Sequence, residues 1–129
     1  MKKIAIIGFG VVGSGVYEII RKNKDILTKK AGEEIDIKKI LDIRDFSNHE
    51  LGQYFTRDFN DILNDTSVGI VVECMGGTEP AYEYVSKCLM AGKSVVSSNK
   101  LLVAEMGYEL LELAEQNNVN FLFEASVGG

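Results

Sequence analysis

The sequence lacks the patterns that mark several classes of protein. Its two cysteines, Cys74 and Cys88, form no CxxC or metal-ligand pattern, so we interpret both as free thiols in a reducing cytosol. The single histidine, His49, lies in a polar stretch and is predicted to be exposed. No apolar run is long enough to span a membrane, and a strand follows Met1 too closely for a signal peptide. These absences predict a cytoplasmic protein.

Positive charge is also scarce. The chain has 14 lysines and arginines against 19 aspartates and glutamates, a net charge of −5, and no basic cluster. This balance argues against a nucleic-acid surface, and an anionic ligand would have to be bound by local donors. The 129 residues, 46% of them hydrophobic, are enough for one domain with a core, which we assign to 1–129.

The most informative feature is a glycine-rich turn between an apolar strand and an amphipathic helix. The turn reads Gly8-x-Gly10-x-x-Gly13. Gly8 lets the chain turn sharply, a side chain at Gly10 would collide with a pyrophosphate, and Gly13 lets the helix press against the sheet. The first helical turn directs free N–H groups at the anion. The pattern predicts a dinucleotide site, with a tight turn that binds no ligand as the alternative.

Strands and helices alternate along the chain. Strands are predicted at 2–7, 35–43, 68–74, 94–98 and 120–125, and a short strand is allowed near Tyr54 and Phe55. Helices are predicted from 11 to about 29, at 57–63 and at 104–117. A further helix is capped by Thr78, has Pro80 in its first turn and stops at Gly92. The alternation predicts a Rossmann-type doubly wound, mostly parallel α/β sheet with helices on both faces.

Apolar spacing predicts which side of each helix faces the sheet. In the first helix the inward residues are Val12, Val16, Ile19 and Ile20, continued by Ile26 and Leu27. In helix 57–63 they are Phe59, Ile62 and Leu63. In the two later helices they are Ala81, Val85, Cys88 and Leu89, and then Met106, Leu110, Leu113 and Ala114.

The residues after the second strand bear on the choice of coenzyme, because ligands bind beyond the carboxyl ends of such strands. Asp42 would accept both ribose hydroxyls and favour NAD, whereas Arg44 would bind a 2′-phosphate and favour NADP. Both residue types are present, so the preference stays open. Either residue can also be a solvated turn residue.

Two later strand ends carry further candidates. Gly76 and Gly77 let the backbone approach the ribose and nicotinamide side of the coenzyme, or else form a plain turn. Asn99 can orient an amide or a ribose, and Lys100 can bind the coenzyme or polarise a substrate carbonyl. We expect neither side chain to have a packing purpose, with a solvated lysine as the alternative for Lys100.

The last residues form a third candidate. Glu124 follows the final strand beside a glycine pair with open carbonyls, a set that could hold a hard cation or a cationic amine, or serve as a hinge. The chain stops directly after this strand with no closing helix. We therefore expect a fragment rather than a complete protein.

Four segments together resemble the amino-terminal domain of homoserine dehydrogenase. They read GFGVVGSGV at 8–16, VVECMGG at 71–77, AGKSVVSSNK at 91–100 and FEASVGG at 123–129, and the last three are the more specific. The resemblance covers essentially the whole chain. It implies NAD- or NADP-dependent interconversion of L-homoserine and L-aspartate 4-semialdehyde, in the route to threonine and methionine.

The resemblance also implies roles for individual residues. Phe9, Val11 and Val12 would line the coenzyme together with the glycines. Ser97 stands where the family usually has threonine and keeps a hydroxyl for the coenzyme site. Lys100 matches a lysine near the nicotinamide and the substrate, which makes it the catalytic candidate.

At the end of the chain, Glu124, Val127 and Gly129 match residues that hold a sodium ion in the family, the last two through backbone carbonyls. In this family a second domain binds the substrate and forms the homodimer, and that domain has no counterpart in these residues. We predict that the fragment folds, binds NAD(P)H weakly and turns over no homoserine.

Two other hypotheses stay open at this point. One is a different NAD(P)-dependent oxidoreductase of a related semialdehyde. An acyl-enzyme mechanism would need a nucleophilic cysteine downstream, and neither Cys74 nor Cys88 is placed for it. The other is a stand-alone nucleotide-sensing module that regulates a partner. The sequence after Gly129 would separate them, because a large further domain favours an enzyme.

Overall fold

The computed structural model describes residues 2–123, and these form a single parallel sheet flanked by helices. The strands are β1 (Lys2–Ile7), β2 (Ile35–Leu41), β3 (Phe55–Thr56), β4 (Val68–Glu73), β5 (Ser94–Ser97) and β6 (Phe121–Phe123). The helices are α1 (Val11–Lys22), α2 (Lys24–Ala31), α3 (Asn60–Leu63), α4 (Ala81–Met90) and α5 (Lys100–Gln116). A 3₁₀ turn at Gly52–Tyr54 precedes β3.

The sheet has the strand order β3-β2-β1-β4-β5-β6, and every neighbouring pair is parallel. This is the order of a dinucleotide-binding fold, so the predicted fold class is confirmed. The register sets Ile7 opposite both Leu41 and Glu73, and Glu73 opposite Ser97. The carboxyl ends of the four central strands therefore meet at one edge, where the chain switches direction between β1 and β4.

Helices cover both faces of the sheet. On one face α1 and α2 pack against the isoleucines of β1 and β2, among them Ile6 and Ile37. On the other face α3, α4 and α5 pack against alternate residues of the central strands, such as Val71 and Val95. Within residues 2–123, no helix combines the length and the apolar character that a membrane crossing requires.

The predicted single helix from 11 to about 29 is wrong. The structure has two helices that meet at Asn23, whose backbone (φ −107°, ψ 18°) leaves the helical region. The Asn23 side chain donates a hydrogen bond to the carbonyl of Ile19 at 2.9 Å. Such a side-chain bond to the backbone competes with the helical pattern, which explains the break.

Half of the inward residues predicted for this segment are exposed. The exposed ones are Val12, Ile19 and Ile26. The ones that pack against the sheet are Val16, Ile20 and Leu27. A helix that lies across two strands buries a narrow stripe, and Ile19 is turned about 100° away from Ile20. The inward residues predicted for α3, α4 and α5 are buried or packed against the core, as expected.

The starts of α3 and α4 also differ from prediction. The predicted cap Thr78 does not cap α4, because Pro80 occupies the cap position and makes no side-chain hydrogen bond. The carbonyl of Thr78, rather than its side chain, accepts a hydrogen bond from Tyr82 N at 2.8 Å. Helix α3 begins at Asn60 rather than 57, because the Asp58 carboxylate accepts from the Asn60 N–H at 2.9 Å. The predicted stop of α4 near Gly92 (φ +83°) is confirmed.

Candidate functional site

The glycine turn between β1 and α1 is built by close backbone contacts. Gly8 has a φ of +95°, which favours glycine, and its N–H donates to Leu41 O at 2.8 Å. A Cβ added to Gly13 would lie 2.0 Å from the carbonyl oxygen of Gly8, so Gly13 must be glycine for α1 to approach the strand. These two glycines act as predicted in the turn itself.

Gly10 differs from Gly8 and Gly13 because none of the described residues lies close to the position that a side chain would occupy there. It is exposed, it caps α1, and a Cβ added there meets no atom within 4 Å. Val11 and Val12 follow it with exposed side chains, 91% and 52% accessible. The first N–H groups of a helix have no partner within the helix. The start of α1 therefore offers backbone donors and room for a ligand.

Asp42 and Arg44 form a closed pair at the end of β2. Asp42 is buried, and its Oδ1 accepts from Arg44 N at 2.9 Å and from Arg44 Nε at 3.0 Å. Its Oδ2 accepts from Phe9 N at 2.9 Å and from Arg44 Nη2 at 3.0 Å. These hydrogen bonds, those of the Arg44 side chain first, lower the pKa of Asp42 to about 2. The turn that Asp42 and Arg44 form also explains why β2 ends at Leu41 rather than at 43.

Arg44 ties the end of β2 to the glycine turn. Its Nη2 also donates to the carbonyl of Phe9 at 2.9 Å, and its guanidinium lies 5.0 Å from the ring centre of Phe46. Phe9 in turn makes edge-to-face contacts with Phe55 (4.9 Å between ring centres) and with the exposed His49 (6.2 Å). This aromatic cluster has no periodicity in the sequence, and sequence reasoning missed it.

A cleft of about 280 Å³ opens between the glycine turn, the end of β2 and the turn after β4. It is lined by Ile7, Gly8, Phe9, Gly10, Leu41, Asp42, Ile43, Arg57, Met75, Gly76, Pro80 and Tyr84. Five of these were predicted site residues. Ile43 lies just beyond β2 and is 79% exposed. An apolar residue just beyond a strand end is a sequence signal that could have identified Ile43 as a lining residue of this cleft.

Glu73 is the buried polar centre of the other half of the crevice. Its side chain is inaccessible to solvent, and its Oε1 accepts from Ser97 Oγ at 2.6 Å. Its Oε2 accepts from Met75 N at 2.8 Å and from Asn99 Nδ2 at 3.3 Å. Burial raises the pKa of Glu73, and these hydrogen bonds oppose the rise. Sequence reasoning did not select Glu73, although a carboxylate within an apolar strand is a visible signal.

Asn99 has a packing role, contrary to expectation. It is 5% exposed, and its Nδ2 also donates to Gly77 O at 2.5 Å. Its Oδ1 accepts from Leu102 N at 3.1 Å, which caps α5 and explains why this helix begins at Lys100 rather than 104. Ser97 is also buried, whereas Lys100 is exposed. The structure thus joins Ser97, Asn99 and Gly77 through Glu73 and leaves Lys100 at the surface of the same edge.

The predicted metal ligands Glu124, Val127 and Gly129 lie outside the described residues. Within 2–123, no cluster of three or more histidine, cysteine, aspartate or glutamate side chains could hold a metal ion. Cys74 and Cys88 are both free, as predicted, and burial raises the pKa of their thiols to about 11 and about 12.

A family model described as the NAD-binding domain of homoserine dehydrogenase matches residues 8–124. The chain belongs to this family. The match favours homoserine dehydrogenase over the two other hypotheses, and it agrees with the glycine turn and the strand order described above.

Individual relatives support the assignment. A homoserine dehydrogenase from Lactococcus lactis is 46% identical, over 98% of this chain and 31% of its own length. The crystal structure of the Staphylococcus aureus homoserine dehydrogenase at pH 7.0 is 40% identical with a TM-score of 0.87, over 98% of this chain and 33% of its own. A hyperthermophilic archaeal homoserine dehydrogenase, solved in complex with NADPH, is 28% identical with a TM-score of 0.78, over 97% and 44%. The chain thus spans about a third of the curated relative (31%).

Proposed function

We propose that this chain is the coenzyme-binding part of a homoserine dehydrogenase, which interconverts L-homoserine and L-aspartate 4-semialdehyde with NAD or NADP. The observation that carries the proposal is the open space at Gly10. The packing of the described residues 2–123 does not require a glycine there, and its φ of −89° suits any residue. A ligand diphosphate that rests on the bare backbone at the start of α1 explains it.

The end of β2 supports binding of NADPH as well as NADH. All four acceptor positions of the Asp42 carboxylate are filled by Phe9 and Arg44, so it can accept ribose hydroxyls only if Arg44 moves. Arg44 is the exposed partner of the pair, and Arg57 lines the same cleft. Two cations next to the adenosine ribose suit a 2′-phosphate. The NADPH bound to the archaeal relative is consistent with this assignment.

The ends of β4 and β5 would receive the nicotinamide half, since each half of this fold binds one mononucleotide. Gly76 tolerates a close approach, because a Cβ there meets nothing within 4 Å. Lys100, exposed at the start of α5, would polarise the carbonyl of the substrate. Ser97, Asn99 and Gly77 would shape the floor of this half. The bound coenzyme supplies the hydride chemistry, and this chain supplies its position.

Other parts of the proposal concern residues and partners outside the described structure. Glu124, Val127 and Gly129 would hold a sodium ion, and the substrate-binding part would lie beyond these 129 residues. We expect the full-length protein to be a cytoplasmic homodimer. We expect the 129-residue chain alone to oxidise no homoserine, and homoserine-dependent reduction of NAD(P) above background by the purified chain would contradict this.

The central test is titration of the full-length protein with NADH and NADPH in parallel. Gly10→Ala should weaken both coenzymes by about tenfold or more, because the new methyl group occupies the position of the diphosphate. Gly15→Ala is the matched control, since a Cβ at Gly15 also meets nothing within 4 Å but lies one turn further along α1. Unchanged affinity of the Gly10 variant would overturn the proposal.

The same titration tests the 2′-phosphate site. If the wild-type protein binds NADPH more tightly than NADH, and Arg44→Ala loses this preference, the 2′-phosphate is assigned to Arg44.

A further inference from the structure

Glu73 links two segments that the proposed function assigns to the nicotinamide half of the coenzyme. We propose that Glu73 is a positioning residue: without touching the coenzyme, it fixes the turn after β4 against the start of α5, so that both present their backbone and Lys100 to the nicotinamide. The inference rests on the proposed function, which supplies the ligand.

The first link runs from Glu73 to the turn that follows its own strand. Glu73 Oε2 accepts from Met75 N at 2.8 Å, and Met75 and Gly76 line the cleft. Gly77, with a φ of +74°, completes this turn, and its carbonyl accepts from Asn99 Nδ2 at 2.5 Å. The turn is therefore held at both ends, once by the carboxylate and once by the amide that the carboxylate also binds.

The second link runs from Glu73 to the end of β5. Glu73 Oε1 accepts from Ser97 Oγ at 2.6 Å, and the same oxygen of Ser97 accepts from Asn99 N at 3.1 Å. Asn99 Nδ2 lies 3.3 Å from Glu73 Oε2, while its Oδ1 caps α5 at Leu102. Since Lys100 follows Asn99 directly, its backbone position depends on the same set of bonds.

Burial makes this arrangement costly to disturb. Glu73 is 0% exposed, and Ser97 and Asn99 are 3% and 5% exposed, so water cannot replace a lost partner. The hydrogen bonds of the Glu73 side chain named above all run to residues between β4 and α5. Loss of the carboxylate should therefore disturb the nicotinamide half and spare the glycine turn and Asp42.

The test compares two substitutions in the full-length protein. Glu73→Leu has a similar volume but leaves Met75 N without its acceptor and removes one of the two acceptors of Asn99 Nδ2, so that only Gly77 O remains for this amide. Glu73→Gln keeps an acceptor for both, and Ser97 can reverse its hydroxyl to accept from the new amide.

The binding probes are two dinucleotides, NADH and NADPH, and their adenosine fragments, ADP and 2′,5′-ADP, because the fragments lack the nicotinamide half. Glu73→Leu should weaken the dinucleotides by about tenfold, change the adenosine fragments by less than about twofold, and lower kcat. Glu73→Gln should stay within about threefold of wild type throughout.

Other results with these variants would contradict the positioning role of Glu73. Equal weakening of dinucleotide and adenosine fragment in Glu73→Leu, or no weakening of either, would overturn the positioning role. A Glu73→Gln variant as defective as Glu73→Leu would show that the charge, not the positioning, matters. If Glu73→Leu does not fold, Glu73→Asp replaces it, since the shorter side chain cannot reach Ser97 and Met75 together and should give the same selective loss. If the wild-type protein binds no coenzyme at all, the proposed function fails and not merely this inference.

Discussion

The two halves of the crevice each contain a carboxylate at a strand end, and the two carboxylates are held in opposite ways. Asp42 at the end of β2 is paired with the exposed cation of Arg44, and its pKa falls to about 2. Glu73 at the end of β4 is inaccessible and bound by neutral donors, and burial raises its pKa. Each accepts an N–H from a neighbouring turn, that of Phe9 or of Met75.

This difference separates an adaptable half from a fixed half. The Asp42 and Arg44 pair is partly open to solvent, so an incoming ligand can exchange its hydrogen bonds for new ones. The network around Glu73 has no such freedom, because every exchange would leave a buried donor without a partner. Under the proposed function, this division would allow different coenzymes at the adenosine ribose while the nicotinamide is held in one geometry.

The largest effect should come from the glycine turn that supports the Asp42 half. Gly13→Ala would place a methyl group 2.0 Å from the carbonyl oxygen of Gly8, so α1 must move away from the sheet. We expect a loss of about 3 kcal/mol or more in the free energy of unfolding, measured by urea denaturation of the 129-residue chain. Gly76→Ala in the other half is the control, because its Cβ meets nothing within 4 Å, and it should change stability by less than about 0.5 kcal/mol. Similar losses in both variants would remove this distinction between the halves.

The strands and the fold class could be predicted from the sequence, whereas several element ends could not. Buried parallel strands are continuous apolar runs, so β1 is correct to the residue and β4 to within one. The ends at Asn23, Asp42 and Asn99 depend on side-chain hydrogen bonds to the backbone. Their competition with regular structure is decided by the surrounding fold.

The candidate site likewise contains residues whose role could be predicted from the sequence and residues whose role could not. Gly8 and Gly13 follow from the motif, because each has a geometric reason within the turn itself, whereas Gly10 is explained only by the proposed ligand. The role of Asn99 could not be predicted, since its partner Glu73 is 26 residues distant in the chain and meets it only through the pairing of β4 with β5. Arg44 was recognised, but its closure over Asp42 depends on the backbone turn that the two residues form.

A smaller effect should follow from removing the charge of Asp42. A carboxylate whose folded pKa lies below its unfolded value contributes stability above about pH 4, and this is lost as the pH falls through about 2. Asp42→Asn should therefore lower the free energy of unfolding at pH 7 by about 1 to 2 kcal/mol, since exposure of Arg44 screens the pair. The difference from wild type should shrink as the pH is lowered from 4 towards 2 in urea titrations.

Asp25→Asn is the matched control for this measurement. Asp25 is an exposed carboxylate on α2 with no place in the cleft, so its variant should stay within about 0.5 kcal/mol of wild type at pH 7. A pH-independent difference between Asp42→Asn and wild type would mean that packing, rather than the ion pair, accounts for the loss.

The smallest effect, and the one of opposite sign, should come from Glu73→Gln. The folded pKa of Glu73 is raised, so the folded state retains a proton that the unfolded state has released, and wild-type stability falls as the pH rises from about 4.5 through the folded pKa. The glutamine variant has no proton to lose at this position and should gain stability relative to wild type over that range. The difference is read from urea midpoints at closely spaced pH values. A variant that loses stability relative to wild type as the pH rises would show that the Glu73 carboxylate is stabilised in its ionised form, as Asp42 is, and the contrast between the two halves would disappear.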